Sequence, residues 1–527
     1  MKQGLAGSHM NAADVLLGLA LSLPEHTAPA IVAGNREISY PELDALACQA
    51  GGAMGALGVA AQDRVLMVVD DRPEFFIAYL GAMKIGAVPV AINLRISPDE
   101  LGYMLCDSEA RLLIVDTDYL TLCAQAMADM TEPPPLVVAD GNSVDFPNLP
   151  ALPDLMKAYP EQMTSQPMLP GDMALWMYTS GTTGTPKAVI HLQKSIPTLG
   201  RYLGPVYGVG PGDRIFCSSK LFFAFSLGHI LLAGLQLGAS MILHTGWPSA
   251  EAIADVIDHY RPSVMFSVPM LYRNILQEGL AGSAGFLAVR HFISAGEHLP
   301  EGVCRKWQAT TGQPILEGIG ASEALILFIG NRPDDFVTGS TGKPLPETDV
   351  RLFDDDGQPS TAPGIPGVLW VRSGSLADGY WRQEEKTKAS FIDGWYCTGD
   401  VFIVDEDGNY YYQGRADDML KISGQWVSPG EIEDHVLANP KVSEAAVIGV
   451  KNAEGFTRLA LCLVPRDRKA DVDVVQRELT KILTAKLSIY KCPRRFVFLN
   501  EMPHTASGKL QRFKLRQIAA DHLAAST

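Results

Sequence analysis

Through the middle of the chain, short runs of β-branched and aliphatic residues alternate with longer stretches of helical spacing. Arg64–Asp70 (RVLMVVD) reads as a buried strand. Pro73–Gly86 follows with apolar positions at helical intervals and a proline in its first turn. Further strands are predicted at Arg111–Val115, Met173–Tyr178, Arg214–Cys217, Ser240–Leu243, Ser263–Phe266 and His291–Ser294, with apolar helical stretches between most of them. This alternation predicts an α/β fold: a large N-terminal domain of mostly parallel sheets flanked by helices.

From about Pro344 the texture changes. Asp349–Phe353, Val368–Val371 and Asn409–Tyr412 read as strands joined by Gly-, Pro- and Asp-rich turns, a β-rich subdomain over about 344–415. Beyond Arg415 it changes again, to a helix at Gly430–Leu437, strands at Glu444–Val450 and Leu459–Val464, a helix at Val474–Leu487 and a last strand at Arg495–Leu499. These make a small α+β C-terminal domain, 416–527, of roughly a hundred residues. The large domain then runs over 11–415. Residues 1–10 are set apart, because Gly7-Ser8-His9-Met10 resembles what tag cleavage leaves behind. Pro133–Pro135 and Asp140–Pro150 read as surface loop.

Composition narrows the class. The 527 residues are 47% hydrophobic and 19% charged, ordinary for a folded soluble chain. The net charge of −16 gives no reason to expect nucleic acid or an anionic membrane as partner. Val15–Leu23 is apolar but too short to span a bilayer. The eight cysteines form no CxxC pair, so they read as thiols in a reducing, cytoplasmic compartment.

One string carries chemistry. In Tyr178-Thr179-Ser180-Gly181-Thr182-Thr183-Gly184-Thr185-Pro186-Lys187, every residue from Thr179 to Thr185 is a glycine or bears a hydroxyl, and a lysine closes the run. Glycines let backbone N–H groups approach oxyanions, the hydroxyls add donors, and Lys187 adds positive charge for β- and γ-phosphates. The GxxxxGK[ST] spacing of a Walker loop fails here.

The string closely resembles the phosphate loop of the adenylate-forming superfamily, which includes acyl-CoA ligases, luciferases and peptide-synthetase adenylation domains. Four more motifs follow in the family's order, so the resemblance covers about Tyr40 to Arg512. It implies a mobile C-terminal domain and ATP, Mg²⁺ and CoA as reactants or cofactors. Glu317-Gly318-Ile319-Gly320-Ala321-Ser322-Glu323 resembles the family's nucleotide motif, with Ile319 for an aromatic residue against adenine and Ser322 for threonine. By resemblance Glu323 holds Mg²⁺, Ser322 touches the α-phosphate, and Gly296, Glu297, Gly318 and Ile319 lie at the nucleotide. Thr398-Gly399-Asp400 matches the TGD motif, so Asp400 accepts the ribose hydroxyls; read alone it is a turn. Gly414–Gly424 matches the family's domain junction, and by resemblance Arg415 contacts ribose or phosphate, Asp417 is the hinge, and Ser423 and Gly424 lie on the CoA side. Pro503–Leu510 (PHTASGKL) resembles the terminal lysine motif, which makes Lys509 the cation between the acid and the α-phosphate.

Lys220–Gly228 (KLFFAFSLG) is the family segment bordering the acid pocket, here with Phe222, Ala224 and Phe225; Gly320 and Ile326 complete the expected lining. Together with Ser294–Glu297 (SAGE) and GIGASE it most resembles benzoate-type aryl-CoA ligases. Phe225 replaces an expected tyrosine and Ile326 an expected histidine, and both changes remove polar atoms. The expectation is therefore benzoate or a small ortho-substituted relative such as 2-aminobenzoate. No aspartate stands in Phe222–Ser226 to hold an α-ammonium group, which argues against an α-amino acid. A stand-alone enzyme loading an aryl acid onto a carrier protein is the alternative. A dead nucleotide-binding relative is disfavoured because Lys187, Glu323, Asp400, Arg415 and Lys509 are all present. Family habit implies a monomer or homodimer.

Overall fold

The computed structural model describes residues 9–23, 25–141, 148–179, 186–354, 357–360, 362–416, 419–422, 425–451, 457–467, 471–504 and 510–524. Contacts divide the chain into two units: residues up to 350 with 371–396, and residues 351–370 with those from 397 onward.

In the first unit, the described residues form two large sheets. One has seven strands, with Arg64–Val68 between Val88–Ala91 and Leu112–Val115 in parallel register. Met173–Thr179 extends it in parallel beside Val88–Ala91, and Lys187–Leu192 then returns antiparallel. The other has nine strands, parallel from Pro29–Ala33 through Ser240–Ile242, Arg214–Cys217, Val264–Ser267 and His291–Ser294 to Ile315–Gly320. Antiparallel strands close both of its ends. Leu112–Val115 and Val264–Ser267 are buried at every position, as strands covered on both faces must be.

The helices Tyr40–Ala56 and Pro73–Lys84 pack into a core with Trp176, Phe75, Phe76 and Tyr79. Pro73–Lys84 is buried along its whole length, which explains why its pattern is more apolar than that of a surface helix. A second core gathers Tyr272, Phe286 and Phe292 edge-on around Trp307, at 4.8, 5.6 and 5.0 Å between ring centres.

The second unit includes the C-terminal strands. Val442–Lys451 and Thr457–Pro465 pair antiparallel, and Arg495–Phe498 joins in parallel. Alternate residues face opposite ways: Leu459, Leu461 and Leu463 pack with the helices Pro429–Leu437 and Val472–Lys486, while Ala460, Cys462 and Val464 pack with Leu515 and Ala519 of Arg512–Ala524.

The predicted α/β class and its strands hold. Arg214–Cys217 and His291–Ser294 match residue for residue. One local reading changes. Thr398-Gly399-Asp400 is not a free turn but lies inside the strand Trp395–Val404, with Gly399 at φ +72°. Here glycine signalled a close approach within a sheet rather than a chain reversal. Glu317–Gly320 of the nucleotide motif also lies in a strand, Ile315–Gly320. Among the described residues no helix is long and apolar enough to cross a membrane.

Candidate active site

Thr179 and Lys187 face each other across the antiparallel pair, so both ends of the hydroxyl- and glycine-rich string are anchored on the seven-stranded sheet. Ser180, Gly181, Thr182, Thr183 and Gly184 lie outside the described residues. Lys187 Nζ is 3.2 Å from Glu323 Oε1 and 3.7 Å from the centre of the Tyr380 ring. Tyr380 reaches the site on the short strand Gly379–Tyr380, which adds beside Lys187–Leu192. Its hydroxyl donates to the same Oε1 at 2.8 Å. His191 Nε2 donates to the Ser322 carbonyl at 2.8 Å, and the Ala377 N–H donates to the Glu323 carbonyl at 2.7 Å. The turn that carries Ser322 and Glu323 is thus held by its own backbone.

Glu323 is buried, which opposes its charge. The Lys187 ammonium and the Tyr380 hydroxyl outweigh burial and hold the carboxyl below its ordinary range. His191 is neutral, because burial pushes it down to about 4. The site therefore presents one ionised carboxylate, and no group of three His, Cys, Asp or Glu side chains suited to a metal exists among the described residues. A single hard oxygen donor fits Mg²⁺, which is usually bound through one or two carboxylates plus substrate phosphates and water. Tyr380 was not singled out in the sequence, since its role depends on a strand pairing between residues far apart in the chain.

Gly318 and Gly320 permit close packing in Ile315–Gly320. A Cβ on Gly320 would lie 2.5 Å from the Ile326 carbonyl oxygen. Ile319 is half-buried, and Gly296 and Glu297 are exposed just after the strand His291–Ser294. The segment Lys220–Phe225 leaves the neighbourhood of Arg214–Cys217 and leads into a π-helix, Leu227–Gly234. Phe222 and Ile326 are buried, Ala224 and Phe225 half-buried, and the rings of Phe222 and Phe223 are 4.4 Å apart.

A second buried ion pair fixes this segment. Lys220 Nζ donates to Asp70 Oδ1 at 2.7 Å and to the His244 carbonyl at 2.9 Å. Asp71 accepts the Leu221 N–H at 3.0 Å, and Asp70 accepts the Gly246 N–H at 2.8 Å. Burial raises the Asp71 carboxyl to about 7, with Lys220 opposing. Burial also works against the Asp70 charge, yet Lys220 prevails and holds that carboxyl below its ordinary range.

In the second unit, Asp400 and Arg415 are cross-strand neighbours. Arg415 Nη1 donates to Asp400 Oδ1 at 3.1 Å and to the Thr398 carbonyl at 2.8 Å. Asp417, Ser423, Gly424 and Lys509 lie outside the described residues.

An ionised carboxylate beside the lysine that closes a glycine- and hydroxyl-rich string suits the binding of a nucleotide's phosphates with Mg²⁺. Residues 23–381 match the model of the AMP-binding enzymes and residues 431–509 that of their C-terminal domain, and the chain belongs to this family. It is 45% identical to the 3-hydroxybenzoate–CoA ligase of Aromatoleum sp. (strain CIB), over 97% of each chain. It is 46% identical to the 3-hydroxybenzoate–CoA/4-hydroxybenzoate–CoA ligase of Thauera aromatica, again over 97% of each. Its fold superposes on the crystal structure of the anthranilate–CoA ligase AuaEII in complex with anthranoyl-AMP with a TM-score of 0.89, at 32% identity and 99% coverage of both chains.

Proposed function

We propose that this protein activates an aromatic carboxylic acid of the benzoate type as its acyl-adenylate and then forms the aryl-CoA thioester. The observation that carries the reading is the Lys187–Glu323–Tyr380 cluster at the exit of the phosphate loop, in a chain similar over nearly its full length to aryl-CoA ligases.

In the first step a carboxylate oxygen of the acid attacks the α-phosphorus of ATP. The P–O bond to the β-phosphate breaks and pyrophosphate leaves. Two anions must meet, so fixed positive charge is the main requirement. Lys187 leaves Glu323 for the β- and γ-phosphates, and Lys509 bridges the acid and the α-phosphate. Glu323 holds Mg²⁺, which supplies charge neutralisation when bound. Ser322 contacts the α-phosphate, and Asp400 and Arg415 hold the ribose. Gly296, Glu297 and Ile319 border the adenine, and Gly318 lies at the nucleotide. In the second step the CoA sulfur, losing its proton, attacks the acyl carbon and AMP departs. The domain of residues 416–527 turns about Asp417 between the steps, which brings Ser423 and Gly424 to the CoA side.

For the acid, the apolar Phe225 and Ile326 support benzoate or a small ortho-substituted relative such as 2-aminobenzoate. The two relatives named above add ring hydroxyls to the acids worth testing. The test is mass spectrometry of the protein with ATP, Mg²⁺, CoA and a panel of aryl and short aliphatic acids, with Lys509→Ala as control. An aryl-CoA product that the control loses supports the reading. Adenylate without thioester would replace CoA by a carrier protein, and adenylate only with aliphatic acids would refute the aryl assignment.

A further inference from the structure

We infer that the buried pair Tyr202–His229 consists of positioning residues that set the spacing of the acid pocket and hence which ring substituents it accepts. This rests on the reading of Phe222–Phe225 and Ile326 as pocket lining. The loss of polar tips at Phe225 and Ile326 leaves the rim of the pocket apolar, yet directly behind Phe225 the structure is polar. The His229 ring stands against the Phe225 ring at 5.2 Å between centres and 69° between planes. Both His229 and Tyr202 are 1% exposed.

The hydrogen bonds fix the tautomer. His229 Nδ1 lies 2.7 Å from the Phe225 carbonyl oxygen, which only accepts, so Nδ1 carries the proton. Nε2 then offers a lone pair, and the Tyr202 hydroxyl donates to it. Burial pushes His229 down to about 4, so the ring is neutral and this arrangement persists through neutral pH. The Phe225 carbonyl lies just ahead of the π-helix Leu227–Gly234, a rare geometry that recurs at functional sites.

The pair also connects towards the segment that carries Ile326. The Tyr202 ring meets the Tyr207 ring edge-on at 6.1 Å, and the Tyr207 hydroxyl donates to the Asn331 carbonyl at 3.0 Å. Asn331 directly follows the strand Leu327–Gly330, which itself follows Ile326. The segments carrying Phe225 and Ile326 interlock nearby. A Cβ on Gly228 would lie 1.8 Å from the Leu325 carbonyl oxygen, and Leu325 holds the left-handed conformation at φ +64°. A wall with no slack at Gly228 and Leu325 transmits a change at Tyr202 or His229 to Phe225 and Ile326.

The experiment measures kcat/KM for benzoate and for its 2-amino, 3-hydroxy and 4-hydroxy derivatives in the wild type, Tyr202→Phe, His229→Gln and His229→Leu, with thermal midpoints taken alongside. Tyr202→Phe leaves Nε2 buried without its donor. It is expected to change the ratio of kcat/KM between ring-substituted and plain benzoate by about tenfold, the scale of one lost hydrogen bond. The KM for ATP should stay fixed. His229→Gln, which can still donate to Phe225 and accept from Tyr202, should keep the ratio closer to wild type than His229→Leu. An equal fall for every acid, or unchanged ratios in all three variants, would reduce the pair to ordinary core packing. If the wild type turns over none of the aryl acids, the aryl-acid reading itself fails, and this inference fails with it.

Discussion

Lys220–Asp70 and Lys187–Glu323, two lysine–carboxylate pairs of the first unit, are built differently. Lys220 is sealed, with a side chain 3% exposed, and it touches Asp70 at 2.7 Å together with a backbone carbonyl. Lys187 sits at the edge of the phosphate loop, 19% exposed, at 3.2 Å from Glu323. Asp70 also accepts the Gly246 N–H, and its neighbour Asp71 accepts the Leu221 N–H. Glu323 gathers Lys187 and Tyr380 on one oxygen, Oε1. A lysine whose partners include fixed backbone atoms is tied into the fold. A lysine held by a longer, partly exposed contact can leave it for a substrate phosphate. The chemistry of the two pairs is alike, and their surroundings assign the roles.

The contrast predicts which property each substitution damages. Lys220→Met leaves Asp70 as a buried charge without its partner, a loss of about 3–5 kcal/mol of stability. A chemical denaturation series would show it, and a variant as stable as wild type would contradict the structural role. Glu323→Gln should lower kcat by about 10²–10³-fold, the scale of one lost electrostatic contact in such a site, with the thermal midpoint little changed. If stability fell and kcat did not, the two pairs would have been assigned the wrong way round.

Tyr380→Phe removes a hydrogen bond to a charged group, about 1.5 kcal/mol or roughly tenfold in kcat/KM. Tyr380 helps to keep Glu323 ionised, so its loss raises the Glu323 pKa. The acid limb of the pH–rate profile should then move to higher pH, and an unmoved limb would sever the link.

A last effect concerns pH and stability. The folded Asp71 carboxyl, at about 7, lies above its unfolded value, so the folded state holds its proton more tightly. Its contribution to stability is present at low pH and is lost as pH rises through about 7. Asp71→Asn keeps an acceptor for the Leu221 N–H and removes the titration. The thermal midpoint of wild type relative to this variant should fall between pH 4 and pH 7. A constant difference would exclude Asp71 as the titrating group.

Much of this was legible in the sequence because the signals were local. Ser263–Phe266 and Arg111–Val115 read as strands, and the structure has them at Val264–Ser267 and Leu112–Val115, because sheets covered on both faces need unbroken apolar runs. Lys187 and Glu323 were legible because their motifs are short and contiguous. Their contact across 136 positions was not, and neither was Tyr380, which a two-residue edge strand delivers. Lys220 was read only as part of the pocket segment, since Asp70 lies 150 positions away. His229 and Tyr202 were invisible for a further reason. A histidine and a tyrosine within apolar sequence look like core residues until the structure shows which carbonyl the imidazole holds.

The most direct test of the account is aryl-acid-dependent exchange of labelled pyrophosphate into ATP, with Mg²⁺ present and CoA absent. Exchange is expected with benzoate-type acids, because the adenylate forms reversibly before any thiol is needed, and it should be lost in Glu323→Gln. Thioester formation without any exchange in the absence of CoA would contradict a mechanism that begins with the adenylate.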